Sequence, residues 1–365
     1  MRIALVAPLV SAIAQPFMGG AQALLADLAQ GLVRRGHEVT LFARNDSFVP
    51  GVRIEPIAVP QNVHPANFAG PSREPPADAG FFAQANLFLE LFLNLRRLSA
   101  GFDLVHAHAF DWPAFACSTL VYEIPVLHTL HLPAVSAEIN DALHVLHQQG
   151  HPITLVTVSH ACASTYVGYT PFDYVIYNGL DVGAIPFTAN TYAEAPLLFA
   201  GRIAPEKGVE AAIEIAHTAG RPLLLAGGIY DRAYYEARIA PWLQRADHQV
   251  TYLGLLERPA LWEVMSRSLG LLFPIEWDEP FGLTAVEAMA TGTPVIAFHR
   301  GAAAEVIRQG ETGFLVEPGG RDQAAALVAK LIDIPRSQCR QHVEKHFALE
   351  RMLDEYERVY KAVRR

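Results

Sequence analysis

The chain has 365 residues, a formal net charge of -9, 51% hydrophobic residues and 18% charged ones. That length points to two domains, and so apolar a chain is not intrinsically disordered. The acidic balance argues against a general nucleic-acid binder, which needs a basic face. The three cysteines, Cys117, Cys162 and Cys339, are odd in number and far apart, which excludes a disulfide scaffold and a cysteine-rich zinc site.

The opening MRIALVAPLV has one basic residue and a short apolar run, so it reads as a first buried strand and not as a signal peptide. Further strands are expected at 38–44, 53–59, 103–108, 125–130, 153–159 and 174–179. Most are apolar on both faces, as in a parallel sheet covered by helices. Helices are expected at 20–34, 81–99, 111–123, 135–149 and 160–168, with Gly36 as the left-handed cap of the first. The apolar stretch 81–98 carries Asn86, Glu90, Asn94 and Arg97 as one polar stripe, which suits a core helix and not a membrane span. A soluble, cytoplasmic protein is therefore expected. The loop 61–80, with Pro65, Pro71, Pro75 and Pro76, reads as long, irregular and mobile.

The pattern pauses over 182–197, which has no period and reads as a linker. A second series of strands follows at 197–201, 222–228, 250–254, 270–274, 294–298 and 312–318. The last segment, 349–365, has a helical stripe of Met352, Leu353, Tyr356, Val359, Tyr360 and Val363. Two successive strand–helix series imply two doubly wound Rossmann-like α/β domains, whose ligands bind at the carboxyl ends of strands.

Two segments there carry chemistry. GRIAPEKG (201–208) follows a strand and opens a helix, so Arg202 and Lys207 are brought to a strand's carboxyl end, a geometry that suits a pyrophosphate. The plain alternative is a solvated basic loop. WDEPFGLTAVEAMATGTPV (277–295) places Glu279 in a loop and Glu287 inside the next helix, with Gly282 at that helix's start. Two ionised carboxylates accept hydrogen bonds from sugar hydroxyls, and amides at a helix start favour phosphate oxygens. The plain alternative is a surface helix with two acidic residues. His128 and His131 lack a third ligand with metal-site spacing and read as structural or as lining a cleft.

The E-x(7)-E block, together with GRIAPEKG, MGGAQALLADLAQGLVRRGHEVTLFA (18–43), DLVHAHAFDW (103–112), PVLHTLH (125–131), TVSHACA (157–163) and YNGLD (177–181), resembles retaining glycosyltransferase family 4. The resemblance covers about residues 2 to 330. It implies a GT-B fold: an acceptor-side domain over 1–185, a nucleotide-sugar domain over 186–345, and a terminal helix, 346–365, returning to the first domain, with the two domains facing a cleft. It implies that Arg202 and Lys207 neutralise the donor diphosphate. Glu279 would bind donor-sugar hydroxyls, with Phe281, Gly282 and Leu283 offering amides to sugar and phosphate. Glu287 would bind the ribose, Gly19 and Gly20 would close over the diphosphate or acceptor, and His108 would lie near the reacting sugar. His106 is expected to point the other way on its strand.

The expected reaction is transfer of a hexose from a nucleotide-diphosphate sugar, expected to be UDP-linked, with retention of configuration and without metal or other cofactor. A nucleotide-sugar epimerase, or an inverting enzyme using His108 or Asp111 as base, stays open. So does a non-catalytic sugar-nucleotide sensor, although Lys207 and Glu279 are both present. Residues 1–185 hold eight arginines, no lysine and fourteen acidic residues. An anionic leaflet repels such a surface, so a soluble small-molecule acceptor is expected, with no stable membrane association.

Overall fold

The computed structural model describes residues 1–17, 19–59, 78–150, 152–168, 171–245 and 250–364. Most of the proline-rich segment 61–80 therefore lies outside the described residues. The chain divides into two compact units. The first comprises Met1–Ala14, Ala21–Tyr177 and Leu349–Arg365, and the second Gln15–Gly20 and Asn178–Ala348.

The first unit is built on β1 (Arg2–Val6), β2 (Glu38–Arg44), β3 (Arg53–Ile57), β4 (Leu104–Ala107), β5 (Val126–Leu130), β6 (Ile153–Thr157) and β7 (Tyr174–Val175). They pair in parallel in the order β3-β2-β1-β4-β5-β6-β7. β1, β4 and β5 are buried almost throughout, which is why their sequences are apolar runs and not alternations. One face packs on the helix Asp78–Arg97 through Phe88, Leu91, Phe92 and Leu95. The polar stripe of that helix faces water at Asn86, Glu90 and Arg97. The helix Gly20–Arg34 ends as expected: Gly36 has φ 82°, its N–H donates to Val33 O at 2.9 Å, and His37 N–H reaches back to Leu32 O at 3.1 Å.

The second unit holds β8 (Leu197–Ala200), β9 (Leu223–Ala226), β10 (Val250–Gly254), β11 (Gly270–Phe273), β12 (Val295–Phe298) and β13 (Gly313–Val316). All pair in parallel in the order β10-β9-β8-β11-β12-β13. Strand order therefore reverses between β1 and β4 in one sheet and between β8 and β11 in the other. Those are the switch points at which α/β sheets bind ligands.

The expected boundary after 185 is displaced. The chain passes into the second unit at Asn178, where Leu180 N–H donates to Phe347 O at 2.8 Å and Leu180 bridges to Ala348. The segment read as a linker is also fastened within that unit. The Arg340 guanidinium donates to Val182 O at 2.8 Å and Ile185 O at 2.9 Å, and Arg336 Nε donates to Thr188 O at 2.7 Å.

The helix Leu349–Val363 belongs to the first unit. Met352, Leu353, Tyr356 and Tyr360 are fully buried, as an apolar stripe at helical spacing requires. Two of them carry hydroxyls, and both hydroxyls have partners: Tyr360 Oη lies 2.7 Å from His106 Nδ1, and Tyr356 Oη 3.1 Å from Thr129 Oγ1. Thr129 Oγ1 in turn lies 2.8 Å from His106 Nε2. Tyr360→Phe would leave a buried ring nitrogen unpaired, at a cost of about 1–3 kcal/mol. Urea unfolding of the variant should show a lower midpoint at unchanged slope; a midpoint equal to the parent's refutes the role given to this network.

Candidate functional site

The first wall of the site is the loop after β8. It runs through a short turn, Pro205–Lys207, into the helix Val209–Thr218. Gly208 has φ 70°, and a Cβ there would lie 1.9 Å from Pro274 O. The glycine is thus needed for the approach of this loop to the chain leaving β11. A backbone bond from Glu276 N–H to Glu206 O, 3.0 Å, ties the same two loops together.

That approach brings the two principal side chains into contact. Lys207 Nζ donates to Glu279 Oε2 at 2.6 Å, both side chains being largely buried. Trp277 Nε1 donates to the same oxygen at 2.6 Å, and its ring centroid lies 4.8 Å from the Lys207 ammonium. Arg202 pairs with Glu206 at 3.4 Å and lies over the Tyr230 ring, 4.5 Å from its centroid. Each cation of GRIAPEKG therefore has a carboxylate and an aromatic face beside it.

The main chain of Glu279 is held by Ala302 N–H, which donates to Glu279 O at 2.9 Å. A Cβ on the adjacent Gly301 would come within 2.4 Å of Glu279 N and O. Phe281 is buried against Phe347, with centroids 5.7 Å apart, and Gly282, with φ 88°, starts the helix Leu283–Ala290. Gly20, which groups with the second unit, sits against Leu283: a Cβ there would be 3.4 Å from Leu283 Cδ2. Gly19 precedes it, half-buried.

Glu287 is 6% exposed. A carboxylate so far from water needs donors, and Oε1 receives two, from Arg258 Nε at 3.1 Å and Trp262 Nε1 at 3.2 Å. The Arg258 guanidinium lies 4.8 Å from the centroid of the Trp262 ring. Sequence reading had missed Arg258, Trp262 and Trp277. The first two are four residues apart on the helix Arg258–Arg267, a spacing that places them on one face.

His108 belongs to the first unit, just beyond the end of β4 at its switch point. Its expected neighbour is corrected: His106 does not point the other way. The two rings are 4.1 Å apart, because residues two apart on a strand share a face. His108 Nδ1 lies 2.9 Å from His131 Nε2, while His108 Nε2, buried, has no hydrogen-bond partner among the described residues. Burial, followed by the neighbouring histidines, holds His106 and His108 well below the ordinary imidazole value. Burial also takes His131 down to about 4 and His128 to about 3. His128 packs against Phe115, with centroids 4.9 Å apart. Among the described residues no group of three or more His, Cys, Asp or Glu is placed to hold a metal ion. Asp111 is pushed up to about 6 by burial, against a Gln84 hydrogen bond of 2.7 Å that lowers it.

The four imidazoles and Asp111 act oppositely on stability. A histidine neutral when folded takes up a proton on unfolding once the pH falls below about 6.5. Asp111 does the reverse between its ordinary value and about 6. Near pH 5 the four histidines outweigh the one carboxyl, so these groups together destabilise the fold as the pH falls from 7 to 5. Thermal melts at pH 7 and pH 5 should show a steep fall, shallower in His128→Leu. Melting that is flat across that range rejects the neutral assignment.

The comparisons with known proteins concern the whole chain and its two halves. Residues 18–184 match the model described as Glycosyltransferase Family 4, and residues 190–346 the model described as Glycosyl transferases group 1. Glycogen synthase from Mycobacterium tuberculosis is 28% identical, covering 88% of this chain and 84% of its own. D-inositol 3-phosphate glycosyltransferase from Jonesia denitrificans is 25% identical, covering 98% and 96%. Among solved structures, sucrose-phosphate synthase from Thermosynechococcus elongatus shares the fold at TM-score 0.77 and 23% identity, over 99% of this chain and 98% of that one. The Anabaena protein HepE, solved with UDP and glucose, does so at TM-score 0.74 and 18% identity, over 99% and 100%. Fold and matched segments together identify the chain as a GT-B glycosyltransferase, with a family-4 domain in its first half and a group-1 domain in its second.

Proposed function

We propose that the chain moves a hexose from a UDP-sugar to a hydroxyl of a small soluble acceptor, with retention of anomeric configuration. The observation that carries this reading is the meeting of Lys207 and Glu279 at the switch point of the second sheet, 2.6 Å apart. One group suits a diphosphate and the other sugar hydroxyls. The UDP-sugar assignment draws on the Anabaena neighbour, whose structure contains UDP and glucose. The small acceptor draws on the inositol phosphate named for one relative.

In this mechanism Lys207 and Arg202 stabilise the charge that grows on the diphosphate as the bond from the sugar's anomeric carbon to the phosphate oxygen breaks. The amides at the start of Leu283–Ala290 add their dipoles. The acceptor oxygen bonds to the anomeric carbon on the same face, and its proton passes to the departing diphosphate oxygen. Glu279 holds sugar hydroxyls and Glu287 the ribose. His108, neutral, offers Nε2 to a hydroxyl of donor or acceptor. Fixed cations supply the positive charge, so the reading needs no metal ion. The same neutral ring suits an inverting enzyme with His108 as base; the anomeric configuration of the product, read by proton NMR, separates the two.

Three variants divide the roles. Lys207→Ala should reduce turnover by roughly 10²–10³, as loss of one preorganised charge does. Glu287→Ala should weaken calorimetric binding of UDP and of UDP-glucose alike, whereas Glu279→Ala should weaken only UDP-glucose. Equal losses on both ligands from both glutamate variants would refute the division of labour.

The acceptor class has its own test. No helix among the described residues is long and apolar enough to cross a membrane. The acidic balance of residues 1–185 also opposes adsorption to an anionic leaflet. Co-sedimentation with phosphatidylserine vesicles should therefore leave the protein in the supernatant at low salt. Strong, salt-sensitive pelleting would point to a lipid acceptor instead.

A further inference from the structure

Trp277 touches both of the side chains on which donor binding is proposed to depend. Its indole N–H donates to Glu279 Oε2 at 2.6 Å, and its ring face lies 4.8 Å from the Lys207 ammonium. Lys207 Nζ reaches the same Glu279 oxygen at 2.6 Å. Before a donor arrives the two charged groups thus satisfy each other. A nucleotide-diphosphate sugar makes two demands on this arrangement. Its diphosphate draws the ammonium, and its sugar hydroxyls need an oriented, accepting carboxylate. One ammonium cannot meet both.

From this we infer that Trp277 is a positioning residue for the donor: its indole N–H keeps Glu279 aimed at the sugar while Lys207 is released to the diphosphate. The inference rests on the function proposed above and deepens it. Only tryptophan among the side chains joins a ring face broad enough to carry a cation to a donor N–H that bears no charge. A second cation in its place would compete for the diphosphate; an indole does not. Trp277 also lies two residues before Glu279 in one loop, and its neighbour Glu276 is tied through the backbone to Glu206. The donor of the hydrogen bond is therefore anchored independently of the lysine side chain.

Trp277→Phe keeps a ring face and deletes the N–H. The chain has four tryptophans, so in 15N-labelled protein the indole resonance that vanishes in Trp277→Phe identifies its N–H. In ligand-free protein that resonance should move in Glu279→Gln. Calorimetry then measures UDP-glucose and UDP on wild type and Trp277→Phe, with far-UV circular dichroism to confirm that the variant is folded. The dissociation constant for UDP-glucose should rise about tenfold, the scale of a lost hydrogen bond to a charged group, and that for UDP should not change. UDP-glucose affinity unchanged in Trp277→Phe overturns the inference. So does an equal loss for both ligands, which would mark a loosened loop, or an indole resonance indifferent to Glu279→Gln. Wild-type protein that binds neither ligand overturns the proposed function instead, and the indole resonance alone then decides whether Trp277 serves Glu279.

Discussion

The site depends on two backbone approaches closer than any side chain permits. Gly208 lets the loop after β8 pass Pro274, where a Cβ would stand 1.9 Å from a carbonyl oxygen. Gly301 lets the turn after β12 close on Glu279, where a Cβ would stand 2.4 Å from main-chain atoms. A real side chain at either place would push the loops apart by more than the length of a hydrogen bond allows. Lys207 and Glu279 are 72 residues apart in the chain, and their contact follows from these approaches and from the parallel pairing of β8 with β11. The geometry lives in the backbone, and the side chains exploit it.

Around that framework the charges are arranged in compensated sets. Arg202 has Glu206, Lys207 has Glu279, and Glu287 has Arg258. Each cation also lies over an aromatic face, of Tyr230, Trp277 and Trp262 in turn. Half-buried charges are expensive without partners. The loops would be less stable if they carried uncompensated charge, and internal pairing removes that cost.

Strand positions were legible because parallel strands buried on both faces leave apolar runs that stand out from helical periodicity. The glutamates and the basic loop were legible because their spacing survives in a single segment. Arg258 and Trp262 were not, because what marks them is a burial demand by Glu287 that only the folded chain expresses. Trp277 opens the segment 277–295, yet nothing in a sequence says that its N–H turns toward Glu279. The boundary at Asn178 was hidden because it is set by Leu180 meeting Phe347 and Ala348, residues far along the chain. His106 differs from these: strand periodicity alone places it on the same face as His108, as the ring contact shows.

That shared face has a structural consequence. Tyr360, His106, His108 and His131 form a continuous series of rings and hydrogen bonds from the terminal helix to the switch point of the first sheet. Tyr360, His106 and His108 are polar yet buried, so each is held by what its neighbours require. His108 Nδ1 and His131 Nε2 must share one proton between them, which couples the tautomer of one ring to that of the other. His106, fixed on one nitrogen by Tyr360 and on the other by Thr129, lies with its ring tilted 41° to that of His108, 4.1 Å between centroids, and limits its rotation. The docking of the last helix and the orientation of His108 are therefore parts of one packing problem. A polar core at this place costs some stability compared with an apolar one, and what it gains is an imidazole whose Nε2, without a hydrogen-bond partner among the described residues, has a defined direction.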